Sequence, residues 1–400
     1  MKIQAMLRDL DYSEECQKQL DELGLKHHVE TDPVGRSFLH LDYTIFANKT
    51  SEIVKECRGL ALHVDSWSVY RNGFRRFMNY GETGCDPFDF KTPVEYEDKK
   101  DGSLIFFHFD HSTGWVVGTR GKIFPTDLIQ GYDITFPQLF WNIMTEKYDY
   151  QKFDKTLCYL FEICSPINRV VIKHSTADIF FTGARKIDDW SELKSEELDL
   201  EALRLGLKRP ATFTFKSINE CLEHAKTMDG GAQEGFVLKQ WNELEKRYNR
   251  AKIKSTSYLA LHQITSARSL SNLVKLALIG NRAILNDFEE FLPAYDKIDA
   301  ILIEYKNDCE ECFQKAFAVY DDLSSGKDFR QRRKEFAAMT ASTPYASYCF
   351  GKLDKRFSTP DEFLSGNATN SGIKRIIEMF DLQKVVGTGW VIVDDVDEDV

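Results

Sequence analysis

The sequence has no long uncharged apolar run, no internal repeat and no extended low-complexity segment. The first absence excludes a membrane-spanning helix, which needs about 20 apolar residues in succession. The N-terminus, MKIQAMLRDLDYSEECQKQLDELG, carries acids throughout and lacks an apolar leader core. It reads as an amphipathic helix and not as a signal peptide. Excess positive charge is also missing: the formal net charge is −11. That argues against coating of duplex nucleic acid, although cations gathered in one groove would still bind it. The nine cysteines are odd in number and scattered. Only Cys309 and Cys312 form a CxxC, with no second pair or histidine cluster beside it. Their place on an apolar helical face reads as core packing. Reduced thiols and the missing signal lead us to expect an intracellular, cytoplasmic protein.

What is present describes a folded chain. Hydrophobic residues make up 42% and charged residues 29%, and the 29 phenylalanines can build a sizeable core. Four hundred residues are too many for one ordinary core and suggest two domains. Residues 35 to 255 read mainly as short strands: 60–64, 104–109, 159–163, 170–172, 179–182 and 235–238. Helical segments interrupt them around 127–147 and 217–228. Beyond residue 256 the periodicity turns helical, near 258–279, 281–292, 296–323, 327–339 and 372–380. Only 389–393 reads there as a strand, and 394–400 is an acidic tail. The expectation is an α+β fold: an N-terminal domain, 1–255, of antiparallel sheets, then an all-helical C-terminal domain, 256–400.

The chemistry-bearing feature is the run Lys99-Lys100-Asp101-Gly102-Ser103. A lysine two residues before Asp-Gly suits an amine that attacks a nucleotide α-phosphate, but alone it equally marks a charged turn. Such a lysine must shed its proton, and nearby cations with partial desolvation would lower its pKa. A triphosphate needs cationic donors, and a divalent metal needs carboxylates. As a strand, Ala251-Lys252-Ile253-Lys254-Ser255 places Lys252, Lys254 and Arg250 on one face. They suit a phosphate whose charge grows in the transition state, or a solvated edge strand. Glu234-Gly235 opens an apolar strand; its carboxylate could reach a metal, or it simply starts the strand after Gly230-Gly231. Glu162 lies in a run too apolar for a solvent-facing strand, so it is either functional or paired with Arg169. Arg58, before Gly59, and Arg76 fit phosphate recognition by fixed donors, or are surface arginines.

The ordered set ECRG, RFMN, KKDGSL, TRG, FEICSPINRVVI, EGFVL and AKIKSTSYLALH, spread over roughly residues 35 to 265, resembles the bacteriophage RNA ligase 1 family. These are ATP-dependent RNA ligases of the covalent nucleotidyltransferase superfamily. The resemblance implies a nucleotidyltransferase domain of ATP-grasp-like antiparallel sheets. It implies Lys99 as the nucleophile that carries AMP, with Arg58, Arg76 and Arg120 at the ATP phosphates. Glu162 would bind the ribose, Glu234 a divalent metal, and Lys252 and Lys254 the α-phosphate; Asp101 and Gly102 would shape the loop around Lys99. ATP and Mg²⁺, or Mn²⁺, are the implied cofactors. RNA ends are the implied partners, in particular structured RNA such as a cleaved tRNA, bound by a monomer in the host cytoplasm if the chain is phage-encoded. The reaction would join 5′-phosphate and 3′-hydroxyl ends through lysyl-AMP and RNA-adenylate, in RNA repair.

The sequence departs from the family pattern at Lys100, where the family has Glu, and at Arg76 and Arg120, where it has lysine. Alternation points Lys100 away from the side of Lys99. The rival readings are a DNA ligase, an mRNA-capping guanylyltransferase, and a non-catalytic RNA-end-binding scaffold. The first two usually continue into a five-stranded barrel, which the helical texture after residue 256 disfavours. The cations at 330–334, with Lys352, Lys355 and Arg356, would give the helical domain its RNA preference, or are a solvated helix face.

Overall fold

The computed structural model describes residues 1–390 except 45–46, 130, 281, 286–287, 367–369 and 388. The expected strand at 389–393 and the acidic tail at 394–400 therefore fall largely or wholly outside the described residues. The chain divides into two compact units, residues 1–259 and 260 onward.

The first unit holds three four-stranded antiparallel sheets. Strands β1 (Leu25–Thr31), β2 (Ser37–Tyr43), β3 (Leu60–His63) and β4 (Val69–Arg71) form a meander in chain order. Strand β5 (Glu95–Asp98) belongs to the second sheet. Strands β6 (Ser103–Asp110), β7 (Gly114–Thr119), β8 (Leu157–Cys164) and β9 (Asp178–Lys186) form the third, in the order β7-β6-β8-β9. Strands β10 (Thr212–Phe213), β11 (Gly235–Asn242) and β12 (Arg247–Lys254) complete the second, in the order β10-β5-β11-β12.

Two-residue alternation decides which side chains meet. On β6 and β8, Ile105, Phe107, Tyr159, Phe161 and Ile163 point into an aromatic core under the helix Phe136–Lys147. That helix starts with Thr135, which caps Gln138 N–H in a capping box worth about 1 kcal/mol. Residues 127–134, expected to be helical, precede it outside the helix. On the opposite face, Leu104, Phe106, Cys158 and Leu160 pack with Phe74. In the second sheet Tyr96, Phe236, Leu238, Ala251 and Ile253 bury one face against the helix Ile218–Thr227. The alternate residues of β5, β11 and β12 are left to face the other way.

Two local expectations fail for identifiable reasons. The N-terminal segment is two helices, Lys2–Leu10 and Glu14–Glu22, because Asp11 and Tyr12 both take left-handed backbone angles and Ser13 caps a new start. Residues 170–172 form no strand; the backbone N–H groups of Val171 and Ile172 donate instead to the carboxylate of Asp101, at 2.9 and 2.6 Å.

The regular elements among the second unit's described residues are all helices. Its longest helix runs Leu292–Asp321 and buries Ile298, Leu302, Tyr305, Cys309, Phe313 and Ala316 along one stripe. The expected helix near 258–279 breaks in two, Thr256–Ala267 and Leu270–Ile279, where Ser269 caps the second. Residues 282–285 and 289–291 are single 3₁₀ turns in place of one longer helix. Cys309 is buried, and Cys312 Sγ lies 3.7 Å from Cys349 Sγ. No helix among the described residues is long and apolar enough to cross a membrane.

Candidate active site

A cavity of about 370 Å³ opens in the first unit. Glu97, Asp98, Val237, Lys239 and Arg250 line it from the second sheet, and Leu104, Glu162 and Thr182 from the third. Arg58, Phe74, Phe77 and Arg120 close it from the segments beside the first sheet. The register explains the first group. Arg250 pairs with Lys239, Lys252 with Val237 and Lys254 with Gly235, while Val237 opposes Glu97. Glu97, Lys239 and Arg250 thus lie on the sheet face opposite the apolar core, while Asp98, paired with Phe236, lines the cavity from the end of its strand.

Lys99 follows β5 directly, and its backbone N–H donates to Gly235 O at 2.9 Å. Its side chain lines the cavity, and its Nζ lies 2.7 Å from Glu234 Oε1. Burial pushes the lysine pKa down, but Glu234 and then Glu162 outweigh it, so the net displacement is upward. The expectation of an amine already depressed by neighbouring cations is therefore corrected: carboxylates, not cations, dominate its surroundings. Glu162, on the cavity face of β8, is pushed up to about 7 by burial, with Lys99 and Arg58 pulling it down and Glu234 adding to the rise. Arg169 is not among its main charge neighbours; its Nε donates to Val171 O.

Glu234 is buried and takes a second lysine, Lys254 Nζ, at 3.5 Å. Lys252 is placed over the Phe77 ring, 5.6 Å from its centroid. Lys252, Lys254 and Glu234 do not themselves line the cavity; Glu234 links Lys254 to Lys99. Arg58 lines it, and its Nη1 is buried with no hydrogen-bond partner among the described residues. Arg120 also lines it, with Nε on the Asp42 carboxylate at 2.9 and 3.1 Å and its guanidinium over Tyr43.

Arg76 is placed elsewhere. It is 1% exposed, reaches Ala47 O at 3.3 Å and stacks 4.0 Å from the Tyr43 ring, so the structure puts it outside the cavity lining. Alternation in the RFMN block turns Phe77 toward the cavity and Arg76 into the interior. Asp101 also stays out of the lining. Besides Val171 and Ile172 N–H, its carboxylate accepts from Tyr258 Oη at 2.7 Å, and its carbonyl from His174 Nε2 at 2.7 Å. Gly102 lines the cavity, and a Cβ there would sit 2.3 Å from Ile163 O, closer than any side chain tolerates. Lys100 lines the cavity too, so it does not turn fully away from Lys99. Its Nζ is engaged by Asp98 at 2.6 Å and lies over the Phe180 ring.

Sequence reasoning missed several members. Glu97 is buried and holds Lys239 Nζ at 2.5 Å and Arg209 Nη2 at 2.7 Å. Arg250, which strand alternation did place on this face, binds Glu192 at 2.6 Å and stacks on Phe74. Phe136 and Thr182 contribute from distant segments. The alternation Glu95-Tyr96-Glu97 was a usable signal for Glu97; nothing local marked Thr182 or Phe136.

The donor set suits a divalent cation beside an anion. Glu162, Glu234 and Asp98 offer carboxylate oxygens, the hard donors that Mg²⁺ and Mn²⁺ take. Asp98 Oδ1 is buried with no partner among the described residues. The orphaned Arg58 nitrogen supplies the complementary donor for a phosphate oxygen.

A family model described as RNA ligase matches residues 56–258. The chain is 26% identical to an RNA ligase of Rhodothermus phage RM378, over 74% of this chain and 81% of that one. It is also 26% identical to an Autographa californica nuclear polyhedrosis virus protein whose name pairs a polynucleotide kinase with an RNA ligase. That match covers 77% of this chain and 44% of the viral one. Among solved structures, an archaeal ATP-dependent RNA ligase aligns with a TM-score of 0.45 and 13% identity, covering 90% of this chain and 84% of that one. With the family model covering residues 56–258, the chain belongs to the bacteriophage RNA ligase 1 family.

Proposed function

We propose that the protein is an ATP-dependent RNA ligase that seals 5′-phosphate to 3′-hydroxyl ends through a lysyl-AMP on Lys99. The observation that carries the residue assignment is the juxtaposition of Lys99 with Glu234 and Glu162 at the wall of a cavity lined by Arg58 and Arg120.

Lys99 Nζ attacks the ATP α-phosphorus, the bond to the β-phosphate oxygen breaks, and pyrophosphate leaves. The amine must lose a proton first, and Glu234 and Glu162 hold that proton on it. Neutralising these carboxylates therefore releases the nucleophile. A divalent cation held by Glu234 and Glu162 would supply charge neutralisation of phosphates and carboxylates alike. Arg58 and Arg120 orient the phosphates, and Glu162 takes the ribose or the metal according to its protonation. Lys252 and Lys254, on one strand face, stabilise the charge that grows on the α-phosphate. An oxygen of the RNA 5′-phosphate next displaces Lys99 from AMP, the amine leaving with a proton. The 3′-hydroxyl oxygen then attacks the activated 5′-phosphorus and expels AMP.

In this reading Asp101 and Gly102 shape the loop around Lys99, Asp101 from outside the cavity and Gly102 at its wall. The first unit carries adenylylation. The helical unit, with Arg330, Arg332, Arg333 and Lys334 on one helix, favours structured RNA such as a cleaved tRNA, and the enzyme works as a monomer in the host cytoplasm. The helical character of the described residues beyond 256 sets it apart from ligases and capping enzymes that continue into a barrel. Incubation with α-labelled ATP and Mg²⁺, followed by a denaturing gel, tests the assignment: Lys99→Ala should carry no label, and undiminished label would remove Lys99 from the mechanism.

A further inference from the structure

We propose that His28, Glu30 and His40 form a binding site for a zinc-class divalent metal, separate from the cavity that holds Lys99. The three side chains each offer one ligand atom, and these atoms lie within 4.8 Å of one another. The fold makes this meeting: His28 and His40 are direct cross-strand partners on β1 and β2, and Glu30 follows His28 on the same face of the edge strand. A tetrahedral zinc with bonds of about 2.0–2.1 Å brings ligand atoms to roughly 3.3 Å apart, so small side-chain rotations close the set.

The second observation concerns His40. It is 1% exposed, and its Nε2–H donates to the Arg120 carbonyl at 2.8 Å. That bond fixes the tautomer and leaves Nδ1 as the lone-pair nitrogen. Nδ1 is buried with no hydrogen-bond partner among the described residues. A metal-binding imidazole typically donates its other nitrogen to a carbonyl or carboxylate in this way. His28 Nε2 is 3.0 Å from Glu30 Oε1, and the Glu30 oxygens are fixed by Ile123 and Phe124 N–H at 2.9 Å. Ile123 N–H also reaches Glu30 Oε2 at 3.1 Å, so the carboxylate position open to a metal is the one on Oε1 that His28 Nε2 occupies, and an ion between them replaces that one hydrogen bond. Arg71 and Arg120 oppose a further positive charge, but Asp42, 2.9 Å from Arg120, cancels one of them.

Two imidazoles and one carboxylate favour zinc-class ions over Mg²⁺ and leave a position for water. Glu30 and His40 both grip the 120–124 turn, so an ion here would clamp the segment that carries Arg120 into the cavity.

The test uses the full chain, freed of metal by chelation and titrated with Co²⁺ in excess Mg²⁺ without nucleotide. The Mg²⁺ occupies the oxygen donors of the cavity. We expect one Co²⁺ per chain, with visible ligand-field absorption that Zn²⁺ abolishes. His28→Gln, whose side chain is half-exposed and leaves the core intact, should bind Co²⁺ at least tenfold more weakly. Glu234→Gln should bind it as the parent chain does. Zn²⁺ should raise the unfolding temperature of the parent and not of His28→Gln. Absence of cobalt absorption in the parent, or absorption unchanged by His28→Gln, overturns the proposal.

Discussion

Lys99 Nζ lies 2.7 Å from Glu234 Oε1, so the proposed nucleophile is ion-paired with the proposed metal ligand. On the proposed mechanism, one carboxylate both restrains the amine and, once it binds a metal cation, frees it. Glu234→Gln should lower the rate of AMP attachment on the order of 100-fold, the scale of losing one oriented electrostatic group. Single-turnover labelling with ATP and Mg²⁺ measures it; a rate within twofold of the parent would detach Glu234 from the chemistry.

Lys100 shares the cavity wall but is tied to Asp98 and the Phe180 ring. Lys100→Ala should keep the covalent AMP, with a rate reduced less than tenfold. Peptide mapping of the labelled protein should place AMP on Lys99 alone. Label on Lys100 in the parent would reverse the assignment.

Arg76 and Arg58 should separate cleanly. Arg76→Ala removes a buried side chain packed on Tyr43 and should cost about 2–4 kcal/mol of stability, read from a urea midpoint. It should leave KM for ATP within twofold. Arg58→Ala should do the opposite, raising KM for ATP at least tenfold with little change in midpoint.

Glu192 sits buried between Arg185 at 2.8 Å and Arg250 at 2.6 Å. Burial raises its pKa, but Arg250 and Arg185 outweigh burial and hold it below the ordinary carboxylate value. Its contribution to stability is therefore complete above the unfolded pKa of about 4.3 and is lost as pH falls through the lower folded value. Glu192→Gln should destabilise by about 3–5 kcal/mol at pH 7, because it strands two buried guanidinium groups. The gap in urea midpoint between parent and variant should shrink below about pH 4; a gap constant down to pH 3 would contradict this.

A chain ending at residue 267 keeps the helix Thr256–Ala267 whole and with it the Tyr258–Asp101 hydrogen bond. It should still form lysyl-AMP, while discharge onto structured RNA falls at least tenfold. A folded truncation that cannot adenylylate itself would refute the division of labour.

Much of this site was legible because strand alternation is a strict rule. Arg250, Lys252 and Lys254 share a face opposite Ile253, as two-residue spacing requires. Glu162 betrayed itself as an acid inside an apolar strand. Other features were illegible because long-range partners decide them. Val170-Val171-Ile172 has strand composition, but the Asp101 carboxylate takes two of its N–H groups before any neighbouring strand can. Arg76 looks like a phosphate ligand until Tyr43, more than thirty residues earlier, is seen beneath it. The turn at Asp11 and Tyr12 rests on two left-handed residues that carry no glycine to announce them.

Asp101 adds a caution for genetics. Its carboxylate ties together Val171, Ile172 and Tyr258, and its carbonyl holds His174, while none of these bonds involves nucleotide. A null phenotype at position 101 would thus report a collapsed scaffold under the neighbouring lysine. On the proposed mechanism, the first residue of this tetrapeptide is reagent and the third is fastening, and a pre-adenylated RNA end should rescue loss of the first alone.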